Sequence, residues 1–543
     1  MYERSIRAAM VLAVALAATP APAQTPASAS ALIERAAAAL GGRSQVLGVR
    51  TLSLYGYGEN NAQDGGGNIS ASPHAPQKRT DVDGLVRTLD YPDARMHLTA
   101  TNVQAFEFAL PAMMAPGIRV NQGLDGDIAF NVGGNPFNPS AGAGPVRAPA
   151  AQVRTRRIEM LDNPLSIVRA ALQPAATFGA LHASDGAEAV DLTTTQGDTV
   201  TVGFSRRTGL PEWMRWVAPH EVYGELTHTT YFTGYEPLGD GLVLPFGYQT
   251  VVDFQNVVES EVYVDKYVVN GLSASETAQL AAPASVRDAP PPQPVMQTIE
   301  ATQVAPHVWY LHSSANGSST AFEFADHVTM FEAYGSAQNF EAVLHKIRAV
   351  IPGKPVTQLI ISHHHLDHTG GLRAAVAEGL TVITNRGSNA QFVRAVTSRP
   401  AREFPDLLQT SGRVGSVQII PVDNKLVLKD ATLEVDILRL VDNNHMADSL
   451  VAYVPAAHTL SEGDLMDDTW KASWWGNSYP DTVKYWYLQV KEDLPVHGRM
   501  HTYAEVIELT KQQTAGAQAL CAKARQDGFA LPGCPVANTM QKY

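Results

Sequence analysis

Short runs in which apolar and polar positions alternate fill much of residues 30–281. Runs such as TLSLYGYG, LVRTLDY, RMHLTAT, TVTVGFS and SEVYVDKYVV combine this period of two with β-branched and aromatic residues, which predicts strands. Two stretches are helical in pattern. In SALIERAAAALGG, Ser30 is the expected N-cap and Gly41 lies just past the end. In NPLSIVRAALQ, Asn163 is the cap and Pro164 takes the first helical position. We therefore expect a mostly antiparallel β domain with few helices.

The pattern changes at residues 282–296, APASVRDAPPPQPVM, where three successive prolines predict a stiff linker. Beyond it, strand-like runs such as VTQLIISH, TVITN and SLVAYVP alternate with helical runs such as AQNFEAVLHKIRAVI, DTVKYWYLQVKED and TYAEVIELTKQQ. Such alternation indicates sheets covered by helices, so we expect a second domain over residues 297–543. The fold class expected for the whole chain is α+β.

Length and charge agree with this division and narrow the class of partner. A chain of 543 residues exceeds what one hydrophobic core normally holds. Hydrophobic residues make up 45% and charged residues 17%, as in ordinary globular proteins. The formal net charge of −13 argues against nucleic acid or an anionic membrane surface as partner, because both require a basic surface. We expect a small-molecule partner.

The first 23 residues show the three zones of a secretory signal peptide. Arg4 and Arg7 precede an apolar run over residues 8–18, and the small residues APA at 21–23 form a cleavage site. The alternative, a buried N-terminal helix, does not explain the order of these zones. The apolar run is too short for a stable transmembrane anchor. We expect cleavage near Ala23 and a periplasmic or secreted protein.

The two cysteines, Cys521 and Cys534, both lie near the C-terminus. In an oxidising compartment they can close one disulfide, and export favours that bond; the alternative is two unpaired thiols. No activating histidine pattern surrounds either of them, so neither is expected to be catalytic.

The stretch IISHHHLDHTGG, residues 360–371, follows an apolar run and ends in two glycines. Side chains alternate in direction along a strand, so His363, His365 and Asp367 can converge on one side while His364 points away. His368 follows where the chain turns into a helix, and a turn allows neighbouring residues to serve different centres. This spacing predicts a metal site.

The H-x-H-x-D-H pattern resembles that of the metallo-β-lactamase superfamily. Further along the chain, VDNNHMADSLVAYVP, LSEGDL and LPVHGRM are similar to the family's later ligand segments, in the same order, and supply His445, Asp464 and His497. The resemblance covers about residues 297–512. It implies a C-terminal αββα sandwich, with the β domain as an addition.

The resemblance also assigns the ligands. It implies two Zn²⁺ ions per chain, with Asp464 shared between them, and imidazole and carboxylate ligands suit zinc. His363, His365 and His445 would bind one ion. Asp367, His368 and His497 would bind the other, and Asp367 would also orient the nucleophile as the catalytic residue.

Two departures from the family pattern are visible. Glu332 stands where most members carry an aspartate that supports a ligand histidine, and its longer carboxylate is expected to play the same supporting part. PVHG stands where many members carry PGHG. His364, His458 and His501 are expected to be surface or supporting residues.

The activity implied is hydrolysis by a metal-bound hydroxide. A shared carboxylate at the position of Asp464 resembles lactonases and glyoxalase-II-like thioesterases, so an ester, lactone or thioester is the favoured substrate. The alternatives are a β-lactam or amide hydrolase of the same fold, an iron-dependent oxidoreductase of the persulfide dioxygenase type, and a non-catalytic envelope ligand-binding protein. The β domain has three alternative roles: holding an apolar ligand, binding the hydrolase substrate, or forming a homo-oligomer.

An aromatic segment, DDTWKASWWGNSYPDTVKYWYLQ, lies between Asp464 and His497. Trp474 and Trp475 stand beside a glycine in an expected loop, where they would form either a lid over an apolar substrate or part of the packing. The sequence favours neither alternative.

Overall fold

The structure is a computed structural model that describes residues 28–62, 69–72, 74–75, 77–104, 117–133, 144–293, 295–443, 445–473, 475–528 and 534. The predicted signal peptide, residues 1–23, lies outside the described residues. Among the helices that are described, none has the length and apolar character needed to cross a membrane. The fold is α+β, as predicted from the sequence.

The β-rich domain is built on one sheet of fourteen strands, and all of its described pairings are antiparallel. The strand order is β6-β5-β4-β3-β2-β1-β14-β13-β12-β11-β10-β9-β7, with β8 beside β9. The strands are β1 (Thr51–Ala62), β2 (Lys78–Asp90), β3 (Arg95–Gln104), β4 (Ile118–Asp125), β5 (Ile128–Asn131), β6 (Val146–Arg147), β7 (Thr177–Phe178), β8 (His182–Ser184), β9 (Ala187–Thr193), β10 (Thr199–Phe204), β11 (Pro211–His220), β12 (Gly224–Pro237), β13 (Val243–Val252) and β14 (Val258–Val269).

Helices cover one face of this sheet. Those of the domain and its C-terminal extension are α1 (Ala29–Ala39), α2 (Arg43–Gly48), α3 (Ala151–Leu161), α4 (Pro164–Ala171), α5 (Ala274–Gln279) and α6 (Ala284–Arg287). One apolar core joins α1, α3 and α4 to alternate positions of the strands, and it includes Leu32, Ile33, Ile158, Leu165, Ile167, Leu52, Leu89, Met96, Val202 and Leu244. The apolar residues that alternate along these strands therefore lie on the face of the sheet that the helices cover.

The helix caps show where the sequence predictions hold. Asn163 accepts a hydrogen bond from the Leu165 N–H at the start of α4, as predicted. For α1 the predicted cap is wrong: Ser28 has the extended backbone and accepts from the Ala31 N–H, while Ser30 lies inside the first turn. Two serines two residues apart offer the same cap chemistry, and tertiary packing decides which one is used.

Two charged side chains lie on the helix-covered face of the sheet. Arg87 of β2 is 9% exposed, and its Nη1 donates to the carbonyls of Glu159 and Asp162 at 3.0 and 3.3 Å. Burial raises the pKa of the Asp162 carboxyl to about 6, and the nearby Arg87 only partly offsets that rise. The Arg87 charge therefore compensates the buried Asp162 carboxyl only in part.

The second domain is an αββα sandwich of two sheets. Its strands are β15 (Ile299–Ala305), β16 (Val308–Ser313), β17 (Gly317–Glu323), β18 (Val328–Phe331), β19 (Val356–Ile360), β20 (Thr381–Asn385), β21 (Ile419–Val422), β22 (Lys425–Lys429), β23 (Glu434–Arg439), β24 (Leu450–Val454), β25 (Thr459–Glu462), β26 (Glu492–Pro495) and β27 (His501–Thr502). Strands β15 to β21 form one sheet in chain order, and β22 to β27 form the other. The pairs from β18 to β21 are parallel.

The helices of this domain are α7 (Ala337–Val350), α8 (Leu366–Thr369), α9 (Leu372–Ala377), α10 (Ser388–Thr397), α11 (Leu407–Thr410), α12 (Ser478–Tyr485) and α13 (Tyr503–Gln526). Neighbouring residues of a strand face opposite sides of its sheet. Ile437 and Ala452 pack between the two sheets, whereas Leu438 and Val451 pack against α12 and α13. Sheets buried on both faces give continuous apolar runs, as in SLVAYVP.

One predicted helix ends early. The run DTVKYWYLQVKED reads as helical, but α12 ends at Tyr485, and Tyr487 takes a left-handed backbone with φ 55°. The following residues 492–495 form β26 and pair in parallel with β25. Strand pairing, a tertiary contact, therefore overrides the local helical pattern.

The first part of the predicted linker packs on the β-rich domain. Val286 of α6 is fully buried and packs with Ala282 against Phe130 of β5. Val295 and Met296 are 72% and 80% exposed. The segment that crosses to the second domain is thus a short stretch after the prolines.

Turns at one end of the β-rich sheet dock on the αββα domain. Tyr223, in the β11–β12 turn, and Phe254, in the β13–β14 turn, stack on each other at 4.2 Å and both contact the ring of Phe392 in α10. The Arg399 guanidinium donates to the carbonyl oxygen of Glu225 at 2.8 Å and to the Asp253 carboxylate at 2.8 and 3.0 Å.

A third connection, between β1 and β2, reaches the loop after β23. The Ala447 N–H donates to the Ile69 carbonyl at 2.7 Å, and the Ser70 hydroxyl donates to that of Ser388 at 2.9 Å. These three connections join the two domains through residues far apart in sequence.

Replacing Asp162 with asparagine tests the buried acid. The native pKa of Asp162, about 6, lies above the unfolded value of about 3.9, because the folded protein favours the protonated carboxyl. The contribution of this residue to the free energy of unfolding is therefore most favourable below about pH 4 and is lost as the pH rises through about 6. Asparagine stays uncharged, so the free energy of unfolding of Asp162→Asn should match wild type at pH 4 and exceed it by roughly 1–2 kcal/mol at pH 8.

Denaturant unfolding at both pH values measures the difference, and the metal-site histidines titrate in both proteins alike. Asp288→Asn, at a carboxyl that is 77% exposed, serves as the control and should change stability at neither pH. An equal difference between Asp162→Asn and wild type at the two pH values would contradict the raised pKa.

Candidate metal centre

The candidate centre lies at the carboxyl ends of two neighbouring parallel strands. β18 ends just before Glu332, and β19 ends just before the segment SHHHLDH. Helix α8 begins directly after His365, and two glycines then allow close packing. A Cβ on Gly370 would lie 2.0 Å from the Gly335 carbonyl oxygen, and one on Gly371 would lie 2.6 Å from the Phe340 Cβ. The sequence HTGG therefore fixes a tight turn that no larger residue could make.

The first group of predicted ligands gathers around one oxygen of Asp464. His445 Nε2 lies 2.8 Å from Asp464 Oδ2, His363 Nε2 lies 3.5 Å from it, and His365 Nδ1 lies 4.0 Å from it. All three imidazole side chains are at most 3% exposed.

The second group gathers around the other oxygen. His368 Nε2 and His497 Nε2 lie 2.9 and 3.0 Å from Asp464 Oδ1. Asp367 Oδ2 is 3.0 Å from His497 Nε2 and 3.4 Å from His368 Nε2. The structure thus brings together all seven predicted ligands, and Asp464 stands between the two groups.

The residues fit a pair of metal ions. In each group four ligand atoms lie within 4.8 Å of one another. Two ligand atoms that bind one tetrahedral zinc ion, each at about 2.0–2.1 Å from it, lie about 3.4 Å apart. The distances from the Asp464 oxygens to the histidine nitrogens, 2.8–4.0 Å, lie around this value. The Ser362 hydroxyl lies 2.8 Å from His363 Nδ1, while the buried His363 Nε2 has no hydrogen-bond partner among the described residues. A ring held on one side and open on the other is typical of a ligand histidine.

The charges of the two groups differ. Burial, with His368 nearby, lowers the pKa of His363 well below its ordinary value, and burial also lowers that of His445. These imidazoles are neutral, the form that binds metal. Burial also lowers the pKa of His497, but Asp464 and Asp367 outweigh it and raise the value to about 10.

The carboxylates of Asp464 and Asp367 remain ionised because the positive charges of nearby histidines outweigh the effect of burial. Burial favours the protonated form of Asp464, but the positive charges of His368 and His497 hold its pKa well below the usual range. Burial likewise favours the protonated form of Asp367, but the positive charge of His368 holds its pKa well below the usual range. Filling the second group requires unprotonated imidazole, so metal binding there releases protons.

Glu332 supports the second group from below. It is fully buried, its Oε1 accepts from the Ser362 N–H at 2.9 Å, and its Oε2 lies 3.5 Å from His368 Nδ1. Its backbone has φ 70°, in the left-handed region that non-glycine residues rarely adopt. The longer glutamate therefore reaches both the ligand loop and a ligand ring.

Trp475 has the contacts of a supporting residue. It is 5% exposed, its indole N–H donates to the Asp464 carbonyl at 2.7 Å, and its ring stacks on His445 at 4.7 Å. These contacts match the packing alternative and leave little surface for a substrate. Trp474 lies outside the described residues.

The remaining histidines lie outside the two groups. His364 is 1% exposed and faces Phe392 at 5.8 Å, so it points away from the ligands. His501 is buried 3.8 Å from Asp493, beneath the centre. His458 lies in the turn between β24 and β25, where its Nδ1 is 3.3 Å from the Tyr453 hydroxyl oxygen.

Sequence reasoning missed Ser362 and Tyr334. Ser362 orients a ligand ring, and the Tyr334 ring meets that of His497 edge-on at 5.6 Å. The one sequence feature that could have identified Ser362 as a supporting residue is its position directly before the ligand His363. Tyr334 follows Glu332 by two residues, and this spacing was a weak signal that the two side chains reach the same site.

The C-terminal helix carries the disulfide. Cys521 of α13 is buried and bonds to Cys534, with a Cα–Cα distance of 5.6 Å. Among the described residues no cysteine is free. The bond ties the end of the chain to α13, away from the ligands.

Glu332→Gln tests the support of His368. The amide can still accept from the Ser362 N–H but removes the negative charge beside His368 Nδ1, so zinc affinity of the second group should fall about 10–100-fold. Competition with a chromophoric chelator measures both affinities. Glu341→Gln, on the exposed side of α7, is the control, and unchanged affinity in Glu332→Gln would contradict a supporting role.

Comparison with known proteins bears on the same region. Residues 326–383, from β18 through the histidine loop to β20, match the family model described as the metallo-beta-lactamase superfamily. No curated protein sequence matches the chain.

Several solved structures are similar over 40% of the chain. A metallo-β-lactamase from Pontibacter korlensis is 16% identical over its full length, with a TM-score of 0.31. TMB-1 is 17% identical over 97% of its length, with a TM-score of 0.30. The DIM-1 metallo-β-lactamase, in a crystal exposed to ceftazidime, is 13% identical over 96% of its length, with a TM-score of 0.30.

The family match includes His363, His365, Asp367 and His368, the ligands that follow β19. The later ligands come from the second sheet and meet them around Asp464. The match to the metallo-β-lactamase superfamily therefore covers residues 326–383 of the αββα domain, which carry four of the seven predicted ligands.

Proposed function

We propose that the chain is an exported, binuclear zinc hydrolase that cleaves an ester, lactone or thioester bond. The observation that carries this proposal is the position of Asp464, whose two oxygens each lie within one ligand group. A carboxylate placed between two sets of three further ligands is suited to two ions sharing one bridge. The signal peptide predicted over residues 1–23 supports export.

The bound ions would supply a water of lowered pKa and polarise the scissile carbonyl. The protein's own part is to position the reactants. Asp367, whose side chain is 41% exposed, is the ligand on the open side of the site, and its low pKa keeps it ionised. Its carboxylate can accept a hydrogen bond from an attacking water and hold that water in line with the carbonyl.

His368 and Trp475 keep that arrangement fixed. His368 is fully buried between Glu332 on one side and Asp464 on the other. Trp475 holds the backbone of Asp464 and the ring of His445. Ligands held by buried neighbours lose little entropy when the site fills, so the geometry is set before substrate arrives.

The alternatives make different demands. A mononuclear iron oxidoreductase would need fewer ligands than the seven that converge here. A non-catalytic binding protein would not require ionised Asp367 at the open side. A β-lactam or amide hydrolase shares the fold and the metals, so only the choice of substrate separates it from the proposal.

Metal content tests the number of ions. The purified mature chain should contain about two zinc ions, and Asp464→Asn should lower that number to one or fewer, because a neutral amide bridges two cations poorly. Mass spectrometry of metal per chain measures this. Asp481→Asn, at an exposed aspartate of α12, should leave the content unchanged.

A single iron ion per chain would move the protein to the oxidoreductase alternative. Chain that takes up no metal, even after reconstitution with zinc, would contradict the proposal. Full zinc content in Asp464→Asn would contradict the bridging role while leaving the hydrolase reading open to the next experiment.

A substrate panel tests the reaction. Zinc-loaded chain is assayed with a p-nitrophenyl ester, an alkyl lactone, an acyl thioester and the chromogenic β-lactam nitrocefin. One of the first three should have the highest kcat/KM, and His363→Ala should lower it by roughly 10³-fold or more, because one ion loses a ligand. His345→Ala, at an exposed histidine of α7, is the matched control.

Preference for nitrocefin would favour the β-lactam alternative. Absence of turnover by chain that holds two zinc ions would favour a binding protein. Equal activity of His363→Ala and wild type would show that the measured hydrolysis does not come from this centre.

A further inference from the structure

A cavity of about 570 Å³ lies within the β-rich domain, outside the metal centre. Its walls are alternate positions of neighbouring strands, such as Leu98, Ala100 and Asn102 on β3, and Trp216 and Ala218 on β11. The volume falls in the range of small-molecule sites, roughly 300–1,000 Å³. The sheet thus presents the same face of several strands to one cavity.

Helix α3 forms one side of the cavity. Its residues 154, 155, 158 and 159 line the cavity, and this spacing lies on one face of a helix. Apolar side chains cover most of the wall, among them Val82, Leu98, Val120, Ile158 and Val262. Such a wall suits the apolar body of a ligand.

One pair of charges stands on the wall at the start of α4. Arg87 and Asp162 both line the cavity, and Arg87 Nη1 holds α3 and its following turn through two carbonyls. Arg87 Nε and Asp162 Oδ1 are buried and make no hydrogen bond among the described residues. One unused donor and one unused acceptor therefore belong to two residues that line the same cavity, and burial of such atoms without a partner is costly.

Three of the other charged groups on the wall have partners. The carboxylate of Glu159 pairs with Arg156 at 3.0 Å, and that of Glu259 pairs with His228 at 2.8 Å. The Glu261 carboxylate accepts hydrogen bonds from Gln249 and Tyr263.

The wall carries two arginines against four acidic side chains. An anionic ligand would meet this acidic excess, and a cationic one would meet Arg87 beside the unused acceptor. An uncharged group that both donates and accepts a hydrogen bond matches the Arg87–Asp162 pair without adding a charge to a buried site.

We propose that this cavity is a binding site for an amphiphile with an apolar body and an uncharged head group that both donates and accepts a hydrogen bond, such as a hydroxyl or a primary amide. The head group lies at Arg87 and Asp162, and the apolar body follows the wall formed by β2, β3, β4 and α3.

The cavity reaches the end of the sheet that docks on the αββα domain. Asn60 and Asn61 line it at the end of β1, and Ser260 lines it near the start of β14. The turns that follow at this end contact Phe392, Arg399 and Ala447. Arg154, also on the wall, lies with its guanidinium 5.1 Å from the Phe404 ring of the other domain. The ligand is therefore held next to the domain with the metal centre, although the proposal does not depend on the hydrolase activity.

Calorimetric titration of the mature, zinc-loaded chain with three ten-carbon probes tests the head-group preference. Decan-1-ol should bind in a 1:1 complex, at least tenfold more tightly than decanoate or decyltrimethylammonium. Tighter binding of either ion, or no binding of decan-1-ol, would overturn the proposal.

Two variants locate the site. Ala100→Trp fills the cavity and should abolish decan-1-ol binding, whereas Thr99→Trp puts the same side chain on the opposite face of β3 and should bind like wild type. Thermal unfolding and zinc content of both variants establish that each is folded. Unchanged binding by folded Ala100→Trp would overturn the location.

Asp162→Asn tests the charge pair without changing shape. It leaves Arg87 uncompensated, so affinity for decanoate should rise at least tenfold relative to wild type and the preference for the alcohol should shrink. Unchanged relative affinities would show that Arg87 and Asp162 do not face the head group and would overturn the proposal.

Discussion

The position of one carboxylate, Asp464, governs the arrangement of the rest of the centre. Its two oxygens stand within two groups of ligands, and each group combines side chains that follow strands of both sheets. Five buried or half-buried histidines around two aspartates would be unstable without compensation, because each ring or charge has lost its water. The parallel strands β18 and β19, the glycines after His368 and the stacking of Trp475 all serve to hold side chains around that one group.

The β-rich domain contributes to this rigidity from outside. Its turns pack on α10 and on the segment that follows it, and its β1–β2 connection binds the backbone two residues beyond His445. The aromatic contacts run from Phe254 through Phe392 to His364, which lies between two ligands in sequence. The same end of the domain carries the polar mouth of its own cavity. The docking surface therefore adjoins both the histidine loop and this cavity.

Local patterns predicted the parts of the molecule that depend on neighbours in sequence. The spacing in SHHHLDH indicated that His363, His365 and Asp367 converge, and the cap at Asn163 follows from its own first turn. The strand itself ends at Ile360, and Asp367 stands in helix α8 with the second ligand group. The cap of α1 and the end of α12 could not be predicted in this way, because packing and the pairing of β25 with β26 decide them. The role of Trp475 depends on a contact with Asp464, eleven residues away, and the docking of Ile69 on Ala447 spans most of the chain. No local pattern encodes contacts of that kind.

The docking of three turns on the αββα domain has a consequence for how this architecture can change. An insertion or deletion in a surface loop is usually tolerated, because loop closure costs little extra entropy per residue. Here the turns after β1, β11 and β13 are bound to the αββα domain, so altering the length of any one of them would shift the backbone beside the candidate metal ligands. The two domains therefore cannot be exchanged independently, and a gene fusion that transplanted either one would have to carry the matching turns with it.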